Sequence, residues 1–314
     1  MDIQRLIKEF AFETGIIAGV CDAKPLENVR GPIFKEPPQA PLLGYKLEQR
    51  RVPEGLLKGA KSIIVIGAGY NRELKFEPDN LPRGRISMSA LGLDYHIMLR
   101  RYLKELEDRM VKAGYVFKSK ISVDTGPLSE KVLAVKAGLG WIGKHGLCIS
   151  DKFGSFFNIG YMLTTLHIDP WHDLNLTGNK GVEPGMFCDN CDMCVKACPG
   201  EALGDGPVRF DYTRCVSYLT QRDGELTPSQ RKSMGTMLYG CDICQKICPM
   251  NLNTYVGKVT SQDYISPTID SIMALDEQAF NNKYKGTAIH WRGLENLQRN
   301  AMVALENFKA RPFI

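Results

Sequence analysis

The pattern of apolar and polar residues predicts a mixed α/β structure in the first half of the chain. Near the N-terminus, apolar residues recur three and four positions apart between charged ones, which predicts an amphipathic helix that ends at Gly15. Residues 61–70 form a β-branched apolar run, which is typical of a buried strand. Residues 93–113 predict a long amphipathic helix that ends before Gly114.

The pattern continues with shorter elements. Residues 115–123 and 155–165 predict two further strands, and residues 128–137 predict a helix between them. A glycine-rich loop at 138–146 follows that helix, and such a loop allows the backbone to approach a ligand closely. Residues 288–308 predict a final amphipathic helix.

Two glycines after the apolar run resemble the start of a dinucleotide-binding motif. Gly67 and Gly69 stand at the end of the predicted strand, but Tyr70, Asn71 and Arg72 follow, so the third glycine of G-x-G-x-x-G is absent. The sequence therefore does not favour a Rossmann nucleotide site.

Eight of the ten cysteines lie between residues 188 and 248, and their spacing indicates the candidate chemistry. The first group has the spacing C-x₂-C-x₂-C-x₃-C-P, which is the bacterial ferredoxin spacing for [4Fe–4S] clusters. Its members are Cys188, Cys191, Cys194 and Cys198, followed by Pro199. A second group, followed by Pro249, consists of Cys241, Cys244 and Cys248, and Cys215 lies between the groups.

The spacing also predicts how eight cysteines are divided between two clusters. Two-residue gaps direct successive sulfurs to one cluster, whereas the three-residue step directs the next sulfur to the other cluster. The predicted ligands of the first cluster are Cys188, Cys191, Cys194 and Cys248. The predicted ligands of the second cluster are Cys198, Cys215, Cys241 and Cys244.

Zinc and disulfides explain these cysteines less well. Structural zinc commonly uses two separated pairs of ligands, and disulfides are unusual in a chain without a secretion signal. Cys21 and Cys148 stand outside both groups, and we expect them to be small buried hydrophobic residues.

Composition agrees with a globular protein that has a substantial core. The 314 residues are 44% hydrophobic and 24% charged, and no run approaches 18 consecutive apolar residues. We therefore expect no transmembrane helix and a cytoplasmic location. The formal charge of +5 falls to about +1 once eight thiolates and two [4Fe–4S]²⁺ cores are included, so it does not by itself indicate a nucleic-acid partner.

Several motifs, in this order, resemble those of the epoxyqueuosine reductase family. They are GRISMSALGLDYH (84–96), VDTGP (123–127), AGLGWIGKHG (137–146), GSFF (154–157), the four-cysteine run, CVSYLT (215–220) and GCDICQKICP (240–249). The resemblance covers about residues 1–310.

The resemblance implies both an architecture and an activity. Residues 1–180 would form an α/β cobalamin-binding catalytic domain like that of reductive dehalogenases, residues 181–255 a ferredoxin-like domain with two [4Fe–4S] clusters, and residues 256–314 the start of a C-terminal helical repeat region. The activity would be an oxidoreductase reaction that reduces epoxyqueuosine to queuosine at the wobble position of tRNA. The implied partners of the monomeric protein are this tRNA and a flavodoxin- or ferredoxin-type electron donor.

The resemblance also implies site residues. Asp124 of VDTGP would donate the proton to the departing oxygen, whereas the residues alone favour an ordinary turn aspartate that accepts backbone N–H bonds. The implied cobalamin contacts are Arg51, Ser87, Asp124, Cys148, Ile159, Ser217 and Asp242. The corrinoid motif D-x-H-x-x-G is not met at Asp94, so we expect base-off cobalamin without a histidine ligand, and His96 also fits a satisfied helix histidine.

Two other functions fit parts of the sequence. A reductive dehalogenase would use the same cofactors on a halogenated substrate, and a plain electron carrier would use only the clusters. The carrier would leave the glycine-rich loop and the α/β region of about 180 residues without a role.

Overall fold

The structure is a computed structural model that describes residues 2–26, 52–75, 79–171, 188, 190–204 and 210–310. Its helices are α1 (Ile3–Thr14), α2 (Tyr95–Lys112), α3 (Glu130–Lys136), α4 (Met193–Ala197), α5 (Val216–Leu219), α6 (Pro228–Met234), α7 (Ile243–Lys246), α8 (Gln262–Ile265), α9 (Ile269–Met273), α10 (Glu277–Tyr284) and α11 (Gly293–Lys309). Its strands are β1 (Ile17–Asp22), β2 (Ser62–Gly69), β3 (Glu73–Leu74), β4 (Arg85–Ile86), β5 (Ser119–Ser122), β6 (Trp141–Ile142), β7 (Cys148–Ile149), β8 (Phe157–Thr164), β9 (Met237–Tyr239) and β10 (Lys258–Val259). Within these ranges, no helix has both the length and the apolar character needed to cross a membrane.

A four-stranded antiparallel sheet, in the order β1-β2-β8-β5, organises the N-terminal half. The buried strand predicted at 61–70 is confirmed as β2, which pairs with β8 along its whole length. Its side chains alternate between two apolar cores, so that Ile64 and Ile66 pack with α1 and α2 while Ile63 and Val65 pack with α3. The uniform apolar run thus reflects a strand that is covered on both faces.

Two glycines of β2 lie directly against aromatic rings. A Cβ atom at Gly67 would lie 2.7 Å from the ring of Phe157, and one at Gly69 would lie 2.6 Å from the ring of Phe153. These glycines make room for aromatic rings inside the core. A Rossmann site needs parallel strands at this position, and the sheet has none.

The predicted N-terminal and central helices are confirmed as α1 and α2. Asp2 caps α1 by accepting a hydrogen bond from the Arg5 amide, and Gly15 ends it in the left-handed region with φ 72°. The apolar stripe of α2 is fully buried at Leu99 and Leu103 and packs against β8. This packing holds α2 against the sheet.

Two predicted elements differ from the structure in extent. The strand predicted at 115–123 pairs with β8 only over β5, because it lies at the sheet edge and its first residues pack into the apolar core as coil. The helix predicted at 288–308 begins as a 3₁₀ turn at Ala288–Arg292, and α11 follows from Gly293, whose φ of 77° interrupts the helical hydrogen bonding. The sequence of residues 171–187 is polar and contains glycine, which is typical of a linker, and all of this stretch except Trp171 lies outside the described residues.

Short strands connect the N-terminal half to the region around the cysteine groups. β4 pairs in parallel with β9, and β3 pairs in parallel with β10. Ile86 of β4 and Leu238 of β9 then share an apolar core with α9, α10 and α11. Residues 85–88 are consequently brought against residues 237–242, at the start of the second cysteine group.

Candidate functional site

A cavity of about 460 Å³ lies where the sheet, the start of α2 and the cysteine-rich region meet. Five of the seven residues that the sequence predicts to contact cobalamin line this cavity. They are Ser87, Asp124, Cys148, Ile159 and Ser217. Arg51, the first of the predicted contacts, lies outside the described residues.

Asp242, the remaining predicted contact, lies behind the wall of the cavity. Its buried carboxylate accepts a 2.6 Å hydrogen bond from the Ser87 hydroxyl and a 2.8 Å hydrogen bond from the Met88 amide. The side chain of Asp242 therefore fixes the position of Ser87, which lines the cavity.

Asp124 projects into the cavity from the loop between β5 and α3. The hydroxyl of Tyr95 donates a 2.8 Å hydrogen bond to Asp124 Oδ2, and the Nε2 atom of His96 lies 3.4 Å from the same oxygen. The side chain of Asp124 is 50% exposed, so half of it faces the open space of the cavity. The carboxylate is held by the first turn of α2 and is still accessible to a ligand.

Asp124 and His96 form an ion pair in this arrangement. Burial tends to raise the pKa of Asp124, but hydrogen bonds from His96 and Tyr95 outweigh burial and hold this pKa below its usual value. Burial opposes the charged form of His96, but hydrogen bonds to Asp124 and Asp94 raise the pKa of His96 to about 9. His96 Nδ1 lies 2.7 Å from Asp94 Oδ1, so at neutral pH an imidazolium bridges two carboxylates.

A second carboxyl group, Glu130, lines the same cavity. Burial, followed by the charge of Asp124, raises the pKa of Glu130 to about 8. The Glu130 side chain also accepts a short hydrogen bond from the backbone amide of Asp124. The two neighbouring carboxyl groups therefore differ in protonation, because Asp124 is ionised at pH 7 and Glu130 is mostly neutral.

His145 of the glycine-rich loop presents an unpartnered donor at the cavity wall. Its Nδ1 atom accepts a 3.1 Å hydrogen bond from the Leu147 amide, which leaves the ring proton on Nε2. Burial, followed by the charge of Lys131, lowers the pKa of His145 to about 4, so the ring is neutral. No described residue accepts from Nε2, although the ring is only 6% exposed, so an acceptor on a bound ligand would satisfy this donor.

The thiols of the first predicted cluster are neighbours. Burial, followed by the charges of Cys188 and Cys248 and then of Cys191, raises the pKa of Cys194 to about 11. A positively charged cluster core would reverse this repulsion, because it binds the sulfurs as thiolates. None of these four described cysteines lines the cavity.

The thiols of the second predicted cluster are neighbours too, and they line the cavity. Burial raises the pKa of Cys241 to about 12, with further contributions from Cys215 and Cys198. Burial, followed by the charges of Cys241, Cys215 and Cys198, raises the pKa of Cys244 well above its usual value. These four side chains contribute to the same cavity as Asp124.

The glycine-rich loop connects the cavity with the first cysteine group. The amide of Lys144 donates a 3.5 Å hydrogen bond to the Cys188 sulfur, and its ammonium group donates a 2.7 Å bond to the Cys191 carbonyl. The next residues, His145 and Gly146, line the cavity. The loop thus approaches the predicted cofactor sites with its backbone, as the glycine content predicts.

Sequence reasoning missed Glu130 and the role of Tyr95. Glu130 stands six residues after Asp124, and the two residues do not belong to one predicted helix or strand, so no period relates them. Tyr95 is part of the quoted LDYH motif, but only the fold brings its hydroxyl to Asp124. The one available signal for Glu130 was a carboxylate in the first turn of a predicted helix, which is a common arrangement.

Comparison with known proteins identifies the family. Residues 50–125 match the family model described as epoxyqueuosine reductase QueG, DUF1730, and residues 187–251 match that of a 4Fe-4S double cluster binding domain. The match to the double cluster model confirms the prediction of two [4Fe–4S] clusters. Together, this match and the N-terminal sheet confirm the predicted fold class, an α/β region followed by a double-cluster region.

Similar proteins cover nearly the whole chain. The epoxyqueuosine reductase of Lactococcus garvieae (strain Lg2) is 34% identical over 320 aligned positions, which span 99% of this chain and 87% of the relative. A crystal structure of epoxyqueuosine reductase with an epoxyqueuosine-modified tRNA-Tyr stem loop is 29% identical, with a TM-score of 0.83, and the match covers 98% of this chain and 83% of that one.

A further similar structure is described by the position of its own catalytic loop. It is the epoxyqueuosine reductase of Bacillus subtilis with an aspartate catalytic loop swung out of the active site, and it is 28% identical, with a TM-score of 0.81. That match covers 98% of this chain and 83% of the other. The extent of these similarities means that the chain belongs to the epoxyqueuosine reductase family of oxidoreductases.

Proposed function

We propose that this chain reduces epoxyqueuosine to queuosine at the wobble position of tRNA, with cobalamin in the cavity and electrons supplied through two [4Fe–4S] clusters. One observation carries the proposal: a single cavity is lined both by Asp124 and by the four cysteines of the second predicted cluster. A proton source and an electron source therefore face the same space. The relative with an epoxyqueuosine-modified stem loop supports tRNA as the substrate.

The reaction requires two electrons and two protons, and the epoxide oxygen leaves as water while an alkene forms. Bound cobalamin would supply a low-potential cobalt centre that delivers the electrons to the epoxide carbon. Its corrin is a flat apolar ring with amide side chains, and the cavity matches this chemistry. Ile159 and Phe157 supply apolar wall, while Ser87, Ser217 and the free Nε2–H of His145 supply polar groups for amides.

Asp124 is the proposed proton donor to the departing oxygen. An alkoxide is a poor leaving group, so protonation must accompany cleavage of the C–O bond. The His96 imidazolium holds a proton 3.4 Å from Asp124 Oδ2 and would replenish the carboxyl group after transfer. When a substrate displaces water from the cavity, the desolvated carboxylate binds a proton more readily, which favours this transfer.

We infer the order of the two clusters from which of their cysteines line the cavity. The second cluster, on cavity-lining cysteines, would be the inner electron donor, and the first cluster would receive electrons from a flavodoxin- or ferredoxin-type protein at the surface. Cys191 is exposed, which gives such a partner access to the first cluster. Neither His96 nor His145 would be available as a ligand to bound cobalamin, because His96 is engaged by two carboxylates and the Nδ1 atom of His145 accepts from a backbone amide.

The test is anaerobic incubation of the reconstituted protein with tRNA that carries epoxyqueuosine, cobalamin and a low-potential reductant. Nucleoside analysis by mass spectrometry should show epoxyqueuosine replaced by queuosine, with the loss of one oxygen atom, only when cobalamin is present. If the protein shows cluster and corrin absorbance but leaves epoxyqueuosine unchanged, the proposed function is wrong. Equal turnover without cobalamin would refute the role of that cofactor.

A further inference from the structure

The loop that carries Asp124 has an unusual backbone conformation. Asp124 has a φ of 56°, in the left-handed region that non-glycine residues seldom occupy. Such a conformation persists where surrounding contacts hold it, and it is commonly found at functional sites. The contacts that hold this loop therefore determine where the carboxylate of Asp124 lies.

The side chain of Asp124 and its backbone are held by different groups. Tyr95 and His96 contact the carboxylate, so these contacts change when Asp124 gives up a proton or meets a substrate. The backbone amide instead donates to the side chain of Glu130. Across the loop, the Thr125 amide also donates a 2.6 Å hydrogen bond to the Val123 carbonyl.

Glu130 is itself attached to a rigid part of the fold. It is the first residue of α3, and the next turn of that helix buries Val132, Leu133 and Ala134 in the apolar core with β2 and β8. The Glu130 side chain thus connects the amide of Asp124 to the core of the protein.

We propose that Glu130 is a positioning residue, whose side-chain oxygen accepts the Asp124 amide and thereby keeps the Asp124 carboxylate directed into the cavity. The inference rests on the proposed function, since it assigns Glu130 a part in placing the proposed proton donor. The neutral form of Glu130 that dominates at pH 7 still has a carbonyl oxygen to accept this bond. The role therefore needs an acceptor at this position and does not need a negative charge.

Glutamine and alanine at this position separate the acceptor from the charge. Glu130→Gln keeps a side-chain oxygen at the same place, whereas Glu130→Ala removes it. Glu277→Ala is the matched control, because Glu277 is likewise the first residue of a helix, α10, and does not line the cavity. The control accounts for the general effect of a carboxylate in the first helical turn.

The first measurement is hydrogen exchange of the holoprotein, read on peptides that cover residues 123–127. We expect exchange at Asp124 to be about tenfold faster or more in Glu130→Ala, because one protecting hydrogen bond is lost, and nearly unchanged in Glu130→Gln and Glu277→Ala. Wild-type protection in Glu130→Ala would overturn the inference. This measurement does not depend on turnover, so it stands apart from the proposed function.

The second measurement is the turnover of epoxyqueuosine tRNA by the same variants. We expect kcat to fall about 10- to 100-fold in Glu130→Ala with KM nearly unchanged, because the carboxylate is misplaced while substrate binding remains, and we expect Glu130→Gln to retain most of the activity. Equal losses in Glu130→Gln and Glu130→Ala would mean that Glu130 acts through its proton or its charge, and would refute the positioning role.

Discussion

Ser87 and Asp242 lie 155 residues apart in the sequence, and a 2.6 Å hydrogen bond joins the hydroxyl of one to the carboxylate of the other. Ser87 faces the cavity, while Asp242 is next to Cys241, a predicted ligand of the second cluster. This bond links the cavity wall that the N-terminal half supplies to the region that carries the clusters.

Removal of this bond should destabilise the protein. Ser87→Ala leaves the buried Asp242 carboxylate with one donor fewer, and we expect a loss of about 1–3 kcal/mol in the free energy of unfolding. Anaerobic chemical denaturation of the holoprotein measures this change. Ser261→Ala serves as the control, since Ser261 is exposed and its side chain does not cap α8. Equal denaturation midpoints for the two variants would contradict the prediction.

The close approach of Ser87 also makes a glycine necessary at position 240. Gly240 has a φ of 68°, and a Cβ atom there would lie 2.5 Å from the Cβ of Ser87. We expect Gly240→Ala to cost about 1–3 kcal/mol more stability than Gly15→Ala, because Gly15 has a similar φ of 72° but a Cβ atom there would meet no atom within 4 Å. Thermal unfolding of both variants isolates the steric cost from the backbone cost. Equal losses would argue against the contact.

The protonation of His96 should make stability depend on pH. Its pKa in the folded protein is about 9, against an ordinary value of 6.5, so the charged ring stabilises the fold below pH 6.5 and this contribution is lost as the pH rises through 9. Thermal unfolding midpoints should therefore fall more steeply between pH 6.5 and 9 in the wild type than in His96→Gln. Because Glu130 titrates in both proteins, the difference between the two curves is the relevant quantity. Parallel curves would rule out the shifted pKa.

The proposed donor role of Asp124 predicts a loss of turnover without a loss of cofactors. Asp124→Asn cannot donate a proton as a carboxylic acid does, and we expect single-turnover formation of queuosine to slow by about 10²- to 10⁴-fold. Cluster and corrin absorbance should remain. Asp151→Asn, at an exposed turn, is the matched control and should react like the wild type. Wild-type turnover in Asp124→Asn would exclude Asp124 as the donor.

The division of the cysteines predicts selective damage to one cluster. Cys198→Ala should lose the second cluster and retain the first, with iron falling from about eight to about four atoms per chain. Cys21→Ala is the control, because Cys21 is buried, does not line the cavity and belongs to neither predicted set. Iron analysis and electron paramagnetic resonance of the reduced proteins distinguish the two clusters. Loss of the first cluster alone in Cys198→Ala would mean that the ligand division is wrong.

The sequence by itself determined the features that depend on local spacing. Cluster ligation requires sulfurs two and three residues apart, so Cys188–Cys198 already indicated the double-cluster region. Helices α1 and α2 were predicted because burial of one face imposes a period on the apolar residues, and strand β2 was predicted because burial of both faces gives an uninterrupted apolar run. Asp124 was found through a motif that resembles those of a known family.

Only the tertiary structure decided which distant residues meet. The parallel pairing of β4 with β9 spans about 150 residues, and it brings Ser87 to Asp242. The hydrogen bond from the Asp124 amide to Glu130 depends on a left-handed backbone that no period encodes. Contacts of this kind arise from the packing of whole elements against one another, so a pattern along the chain determines the elements but not the atoms that converge in the cavity.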